Sequence, residues 1–192
     1  VGNPKTGKTN ILKIILEMFS VGECFIVDSK SYDLSDYEAK ENSTYIVDKE
    51  GMESFIESIK NTVSDRESAY ENSEDNMRPR EFYSRQDPLA LLIDDGDYFI
   101  SLTSEMGDEM LDILRSFVDV GGSIITCTKP KGLDGYDDTT SFLKEVQNGI
   151  VLGNPDDQRY FDIYTRYNDK TPIDMCHLCK SGENIKVKIP LI

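Results

Sequence analysis

The run Gly2-Asn3-Pro4-Lys5-Thr6-Gly7-Lys8-Thr9 sets two glycines, a lysine and a hydroxyl residue at the offsets G-x-x-x-x-G-K-[ST]. No other stretch of the chain constrains the backbone so tightly. Successive N–H groups in such a loop wrap a phosphate, and the positive end of the following helix adds to the attraction. The pattern therefore requires a helix directly after Thr9, and one is predicted to about Phe19. Ile11, Leu12, Ile14, Ile15, Met18 and Phe19 are spaced as one buried stripe. A loop of this kind normally leaves a buried β-strand, yet only Val1 precedes Gly2. Residues 1–192 are accordingly expected to form one domain of a longer multidomain protein, without its first core strand.

Charge narrows the choice of partner. Thirty-six acidic residues against 21 basic ones leave a formal charge of -15, whereas nonspecific DNA or RNA binding rests on Lys and Arg neutralising phosphates. Nucleic acid is therefore not an expected partner; Lys180, Lys186 and Lys188 read as a solvated edge hairpin. No run approaches the roughly 18 apolar residues of a membrane span. Cys24 and Cys127 lie in apolar, strand-like runs as ordinary buried thiols. Cys176-Met-His-Leu-Cys179 has two-residue spacing, but a structural zinc site takes four ligands and no second pair lies nearby.

Elsewhere, apolar runs alternate with helical patterns. Strands are predicted at Cys24–Asp28, Tyr45–Val47, Leu89–Ile93, Ser123–Cys127 and Ile150–Leu152. Helical stripes fall on Met52–Tyr70, Met106–Phe117 and Phe142–Val146, with a polar loop carrying Asp97 between the third strand and the second of these. The order implies a parallel sheet covered by helices on both faces. Near the end, Ile185, Val187 and Ile189 alternate with Lys186 and Lys188, the pattern of an antiparallel hairpin with residues around Met175 to Leu178.

Asp94 and Asp95 follow the most apolar strand directly. A phosphate-loop site needs a carboxylate there, so Asp94 is assigned with Thr9 to the Mg²⁺ shell and Lys8 to the outer phosphates. Asp95 stands where a hydrolytic site carries the base that orients water; aspartate is one methylene shorter than the usual glutamate. Thr128, at the end of the neighbouring strand, is the candidate sensor of the outer phosphate, with Thr126 next. The predicted site is Gly2, Asn3, Pro4, Lys5, Thr6, Gly7, Lys8, Thr9 and Asp94 for ATP, Thr9 and Asp94 for Mg²⁺, and Asp95 and Thr128 for catalysis.

Together these residues resemble the FtsK/SpoIIIE-like ATPase family, through Gly2–Thr9, Leu89–Asp95, Ile124–Pro130 and the closing strand region. The resemblance implies a P-loop NTPase three-layer α/β sandwich of the additional-strand FtsK/RecA-like type, with a mostly parallel central sheet and a C-terminal antiparallel hairpin. Where that family commonly reads Ala-Thr-Gln-Arg-Pro, this chain has Thr126-Cys-Thr-Lys-Pro130, and Asp95 replaces the usual catalytic glutamate. Val151–Phe161 and Ile185–Pro190 further resemble the C-terminal module of the membrane-anchored motors of Gram-positive type VII secretion. That likeness implies a place on the cytoplasmic face of the membrane, with adjoining ATPase modules, other secretion-system membrane components and WXG-type secreted proteins as partners. It also implies a homo-oligomer of the full-length protein. Two roles follow: a motor module driven by ATP, or a regulatory or substrate-receptor module with little hydrolysis of its own.

Overall fold

The computed structural model describes residues 1–19, 21–30, 32–73, 76–163, 171–172 and 174–190. Helix α1 (Lys8–Met18) leads into β1 (Glu23–Val27) and β2 (Ser43–Ile46), followed by α2 (Met52–Glu71) and a single-turn α3 (Pro79–Tyr83). Then come β3 (Leu89–Ile93), α4 (Gly96–Thr103), α5 (Asp108–Asp119), β4 (Ser123–Thr126), α6 (Asp138–Lys144) and β5 (Asn148–Leu152). The hairpin β6 (Met175–Lys180) and β7 (Glu183–Lys188) completes the order. Four strands pair in parallel as β2-β1-β3-β4, and three pair antiparallel as β5-β6-β7.

Side chains of a strand alternate between faces, and β1 and β3 are apolar on both. Phe25, Val27, Leu89, Leu91 and Ile93 point into one cluster with Phe55 and Ile59 of α2 and Leu114 and Phe117 of α5. Phe25 meets Phe55 and Phe117 edge to face, at centroid distances of 5.8 and 6.0 Å. The alternate residues Cys24, Ile26, Ala90 and Leu92 pack with Leu12 and Leu16 of α1 on the opposite face. The parallel sheet is thus the middle of three layers. Lys40 ties the outer layer down by donating its ammonium to the Leu16 carbonyl, near the end of α1.

Four expectations are corrected or extended. Met18 is 76% exposed, because it lies about 200° round the helix from Leu16; Ile11 and Ile14 instead pack against the cluster of Leu152, Cys176 and Ile189. The stretch carrying Asp97 is helix α4, started by a cap at Asp95 and held by buried Phe99 and Leu102. Helix α3 was not anticipated, although Pro79 at its first turn is a helix-start signal. Ile150–Leu152 is a strand, but its hydrogen-bonded partner is β6 rather than a strand of the four-stranded sheet. The polar connection expected over Glu71–Asn76 includes residues 74 and 75, which lie outside the described residues.

Cys176 and Cys179 are an odd number of residues apart on β6, so their side chains leave opposite faces of the strand. Among the described residues, no three His, Cys, Asp or Glu side chains converge on a point where a metal could sit. The hairpin turns at Ser181 and Gly182, both at positive φ, as a two-residue hairpin requires. None of the described helices is long and apolar enough to cross a membrane.

The layered core makes a direct prediction. Leu92 is fully buried and Ile185 is 59% exposed on β7. Leu92→Ala is expected to lower unfolding free energy by about 2–5 kcal/mol in urea titration. Ile185→Ala should stay within about 0.5 kcal/mol of the parent.

Candidate functional site

The Gly2–Thr9 loop and the ends of β1, β3 and β4 meet at one edge of the parallel sheet. Parallel strands deliver their carboxyl ends to the same side, where α/β proteins build their sites. At the start of the loop, Gly2 donates its N–H to the Thr128 carbonyl at 3.2 Å. A Cβ on Gly2 would lie 2.4 Å from Thr6 Oγ1 and 3.0 Å from Leu152 Cβ, so the first glycine is required by close approach. The second is required by conformation, since Gly7 has φ 96° where it caps α1. Asn3, Pro4 and Lys5 form the exposed tip. The Thr6 hydroxyl closes the turn by donating to the Asn3 carbonyl at 2.8 Å, and Lys8 Nζ lies across the loop, donating to the Gly2 and Asn3 carbonyls at 2.9 and 3.1 Å.

Thr9 lies in the first turn of α1 and donates its hydroxyl to Asp94 Oδ1 at 2.8 Å. Two motifs 85 residues apart are thereby joined. Asp94 is 8% exposed. Burial pushes its carboxyl above the ordinary range, the hydrogen bonds from Thr9 and Ser29 pull it back, and the negative charges of Asp28 and Asp33 raise it again. Such a carboxylate has lost much of its water and gains from a cation.

Asp95 does structural work at the start of α4. Its Oδ1 accepts the N–H groups of Asp97 and Tyr98 at 3.0 and 3.2 Å, making it the N-cap of α4. The next residue, Gly96, returns the chain to β4 by donating to the Cys127 carbonyl at 2.9 Å. There a Cβ would collide with Leu133 and Thr126. Asp97 turns away from the loop, accepting from Lys129 Nζ at 2.7 Å and from Asp134 N–H at 3.0 Å. Partial burial alone would raise its carboxyl, but these donors hold it below the usual range.

Thr128 is 7% exposed, and its Oγ1 has no hydrogen-bond partner among the described residues. A buried hydroxyl left unpaired costs about 1–3 kcal/mol, so its presence here calls for an explanation. Cys127, beside it, is pushed up to about 12 by burial and by the negative charge of Asp94, and remains a neutral thiol. Thr126 is half-buried within β4.

Two contributors escaped the sequence reading. Asp28 is wholly buried at the end of β1, where it accepts from Ser29 N–H at 2.7 Å, Leu34 N–H at 2.8 Å and Tyr45 Oη at 2.7 Å. Those bonds fix the turn from which the Ser29 hydroxyl reaches Asp94. Their signal was positional: Asp28 follows Val27, which pairs with Ile93 beside Asp94.

No family model matches the chain. Over its whole length it is 25% identical to the ESX secretion system protein YukB of Bacillus subtilis (strain 168), and it spans 13% of that protein. Among solved structures it is similar to EssC (ATPases 2 and 3) from Geobacillus thermodenitrificans, with a TM-score of 0.84 at 21% identity. That match covers 99% of this chain and 36% of the other. The cytoplasmic domain of EssC superposes with a TM-score of 0.79 at 20% identity, over 99% of this chain and 38% of that one. The chain is therefore similar over its whole length to ESX secretion system proteins, and it shares the fold of the EssC ATPases.

Proposed function

We propose that the chain is the ATP- and Mg²⁺-binding module of a type VII secretion motor, and that its nucleotide site drives or regulates export of WXG-type proteins. The observation that carries the nucleotide reading is the Thr9–Asp94 hydrogen bond, which puts a hydroxyl and a desolvated carboxylate side by side at the first turn of α1. The loop N–H groups of Gly2–Thr9 would hold the phosphates and Lys8 would exchange its two carbonyl partners for phosphate oxygens. Mg²⁺, when bound, supplies positive charge against the phosphate oxygens; Thr9 and Asp94 are the residues that would hold it. Thr128 Oγ1 is the group with hydrogen-bonding capacity to spare, which suits a sensor of the outer phosphate.

The secretion setting rests on similarity to proteins far longer than this chain. Adjoining ATPase modules, membrane components of the secretion system and a homo-oligomeric parent protein on the cytoplasmic face of the membrane belong to the same proposal. The charge of -15 favours protein cargo over nucleic acid. One observation favours a regulatory or substrate-receptor role over a motor role: Asp95 gives one carboxylate oxygen to the cap of α4 and has a shorter reach than glutamate.

Three measurements check these readings. Titration with a fluorescent ATP analogue should show saturable, Mg²⁺-strengthened binding that Lys8→Ala weakens at least about tenfold, the loss of about one charge-assisted hydrogen bond; unchanged affinity in the variant would remove Lys8 from the site. Asp95→Ala should cost about 1 kcal/mol of stability through the lost cap, while Asp95→Asn keeps the cap within a few tenths. Any steady-state ATP hydrolysis should fall in both variants, so the Asn variant separates the charge from the fold. Thr128→Val removes the unpaired hydroxyl and should leave thermal stability unchanged or raised, yet bring the affinities for ATP and ADP closer together. A lower melting temperature with an unaltered ATP-to-ADP preference would assign Thr128 a packing role only.

A further inference from the structure

Tyr45 belongs to no motif, yet it starts a row of polar groups that crosses three strands on the face covered by α1. It pairs with Ile26 of β1, so Asp28, two residues further on, is its diagonal neighbour on the same face and within reach of a long side chain. The Tyr45 hydroxyl donates to Asp28 Oδ2 at 2.7 Å. Val27 pairs with Ile93, which sets Asp28 beside Asp94 at the ends of β1 and β3. Ser29 serves both carboxylates: its N–H donates to Asp28 Oδ1 at 2.7 Å and its hydroxyl to Asp94. Thr9 of α1 closes the row with its bond to Asp94 Oδ1.

We propose that Tyr45 is a positioning residue for the cation: by fixing Asp28 it leaves the Ser29 hydroxyl to Asp94, and so keeps Asp94 aimed beside Thr9 for Mg²⁺. The proposal rests on the nucleotide reading above. Asp28 is wholly buried, and three neutral donors satisfy it. Of these three, the N–H groups of Ser29 and Leu34 belong to the turn itself, whereas the Tyr45 hydroxyl reaches in from β2. A buried carboxylate is costly with a donor missing. Without the phenol, Asp28 would turn to recover one, and Ser29, whose N–H it already holds, carries the hydroxyl that now serves Asp94. Tyr37 provides a matched comparison. It packs in the same apolar cluster as Tyr45, and its hydroxyl also donates to a carboxylate at 2.7 Å, that of Glu17. Glu17, however, lies in the last turn of α1, about 12 Å along the helix from Thr9. A tyrosine that merely holds the layers together would behave like Tyr37.

The test is binding of a fluorescent ATP analogue across a Mg²⁺ titration, in the parent, Tyr45→Phe, Tyr37→Phe, Ser29→Ala and the double variant of Tyr45→Phe with Ser29→Ala. Tyr45→Phe should raise the Mg²⁺ concentration for half-maximal enhancement about tenfold, the low end for partners that orient a metal's ligands, and leave the affinity without Mg²⁺ unchanged. Tyr37→Phe should change neither quantity. The double variant should be no worse than Ser29→Ala alone, because Tyr45 acts through Ser29. Equal Mg²⁺ responses of Tyr45→Phe and Tyr37→Phe would overturn the proposal. So would additive losses in the double variant, or a loss in Tyr45→Phe that is the same with and without Mg²⁺, which would make Tyr45 a packing residue only. A parent that binds the analogue with no Mg²⁺ enhancement would overturn the Mg²⁺ reading itself and the proposal with it, whereas a responsive parent matched by Tyr45→Phe would overturn this proposal alone.

Discussion

The Thr9–Asp94 hydrogen bond joins a helix start to a strand end, and its geometry depends on β3 being buried on both faces. Leu89, Leu91 and Ile93 lock the strand against α2 and α5, while Ala90 and Leu92 lock it against α1. A strand held from both sides cannot slip by one residue without exchanging its two apolar sets. Asp94 therefore emerges at a fixed height, and α1, pinned by Leu12 and Leu16 to the same strand, delivers Thr9 to it. The site is rigid because the layers are, which suits a site whose function needs groups placed within about 0.5 Å.

Polar residues at the sheet edge divide the work of holding that geometry. Asp28 uses its carboxylate to fix the turn after β1, Ser29 and Thr9 share Asp94, and Asp95 spends one oxygen on α4. Thr128 keeps its hydroxyl unspent. Under the proposed function, nucleotide would be registered through a small change at Thr128 or Lys8 without moving the core, whether or not Asp95 supports turnover.

Much of this was legible in the residues because local signals and tertiary demands agreed. Leu89–Ile93 is continuously apolar and became the central buried strand with the expected bounds. The alternation of Ile185 and Val187 with lysines became an edge hairpin. The sequence was less readable where a candidate site residue also does structural work. Asp95 looked like a catalytic carboxylate, and its capping role disclosed helix α4 only once the N–H groups of Asp97 and Tyr98 were in place. Met18 fitted a helical stripe drawn too wide, because α1 faces two partners, the parallel sheet through Leu12 and Leu16 and the hairpin sheet through Ile11 and Ile14. Ile150–Leu152 had the composition of a core strand, but composition does not say which neighbour it pairs with. Asp28 and Ser29 were hidden for the same reason, since their importance comes from the register of β1 against β3.

The central claim is that Thr9 and Asp94 act as one Mg²⁺-dependent unit in nucleotide binding. A double-mutant cycle of Thr9→Ala and Asp94→Ala, read as the affinity for a fluorescent ATP analogue with and without Mg²⁺, tests it most directly. The account predicts that each single variant abolishes most of the Mg²⁺ enhancement and that the double variant is little worse than either one. Independent, additive losses, or a Mg²⁺ enhancement that survives in both single variants, would contradict it.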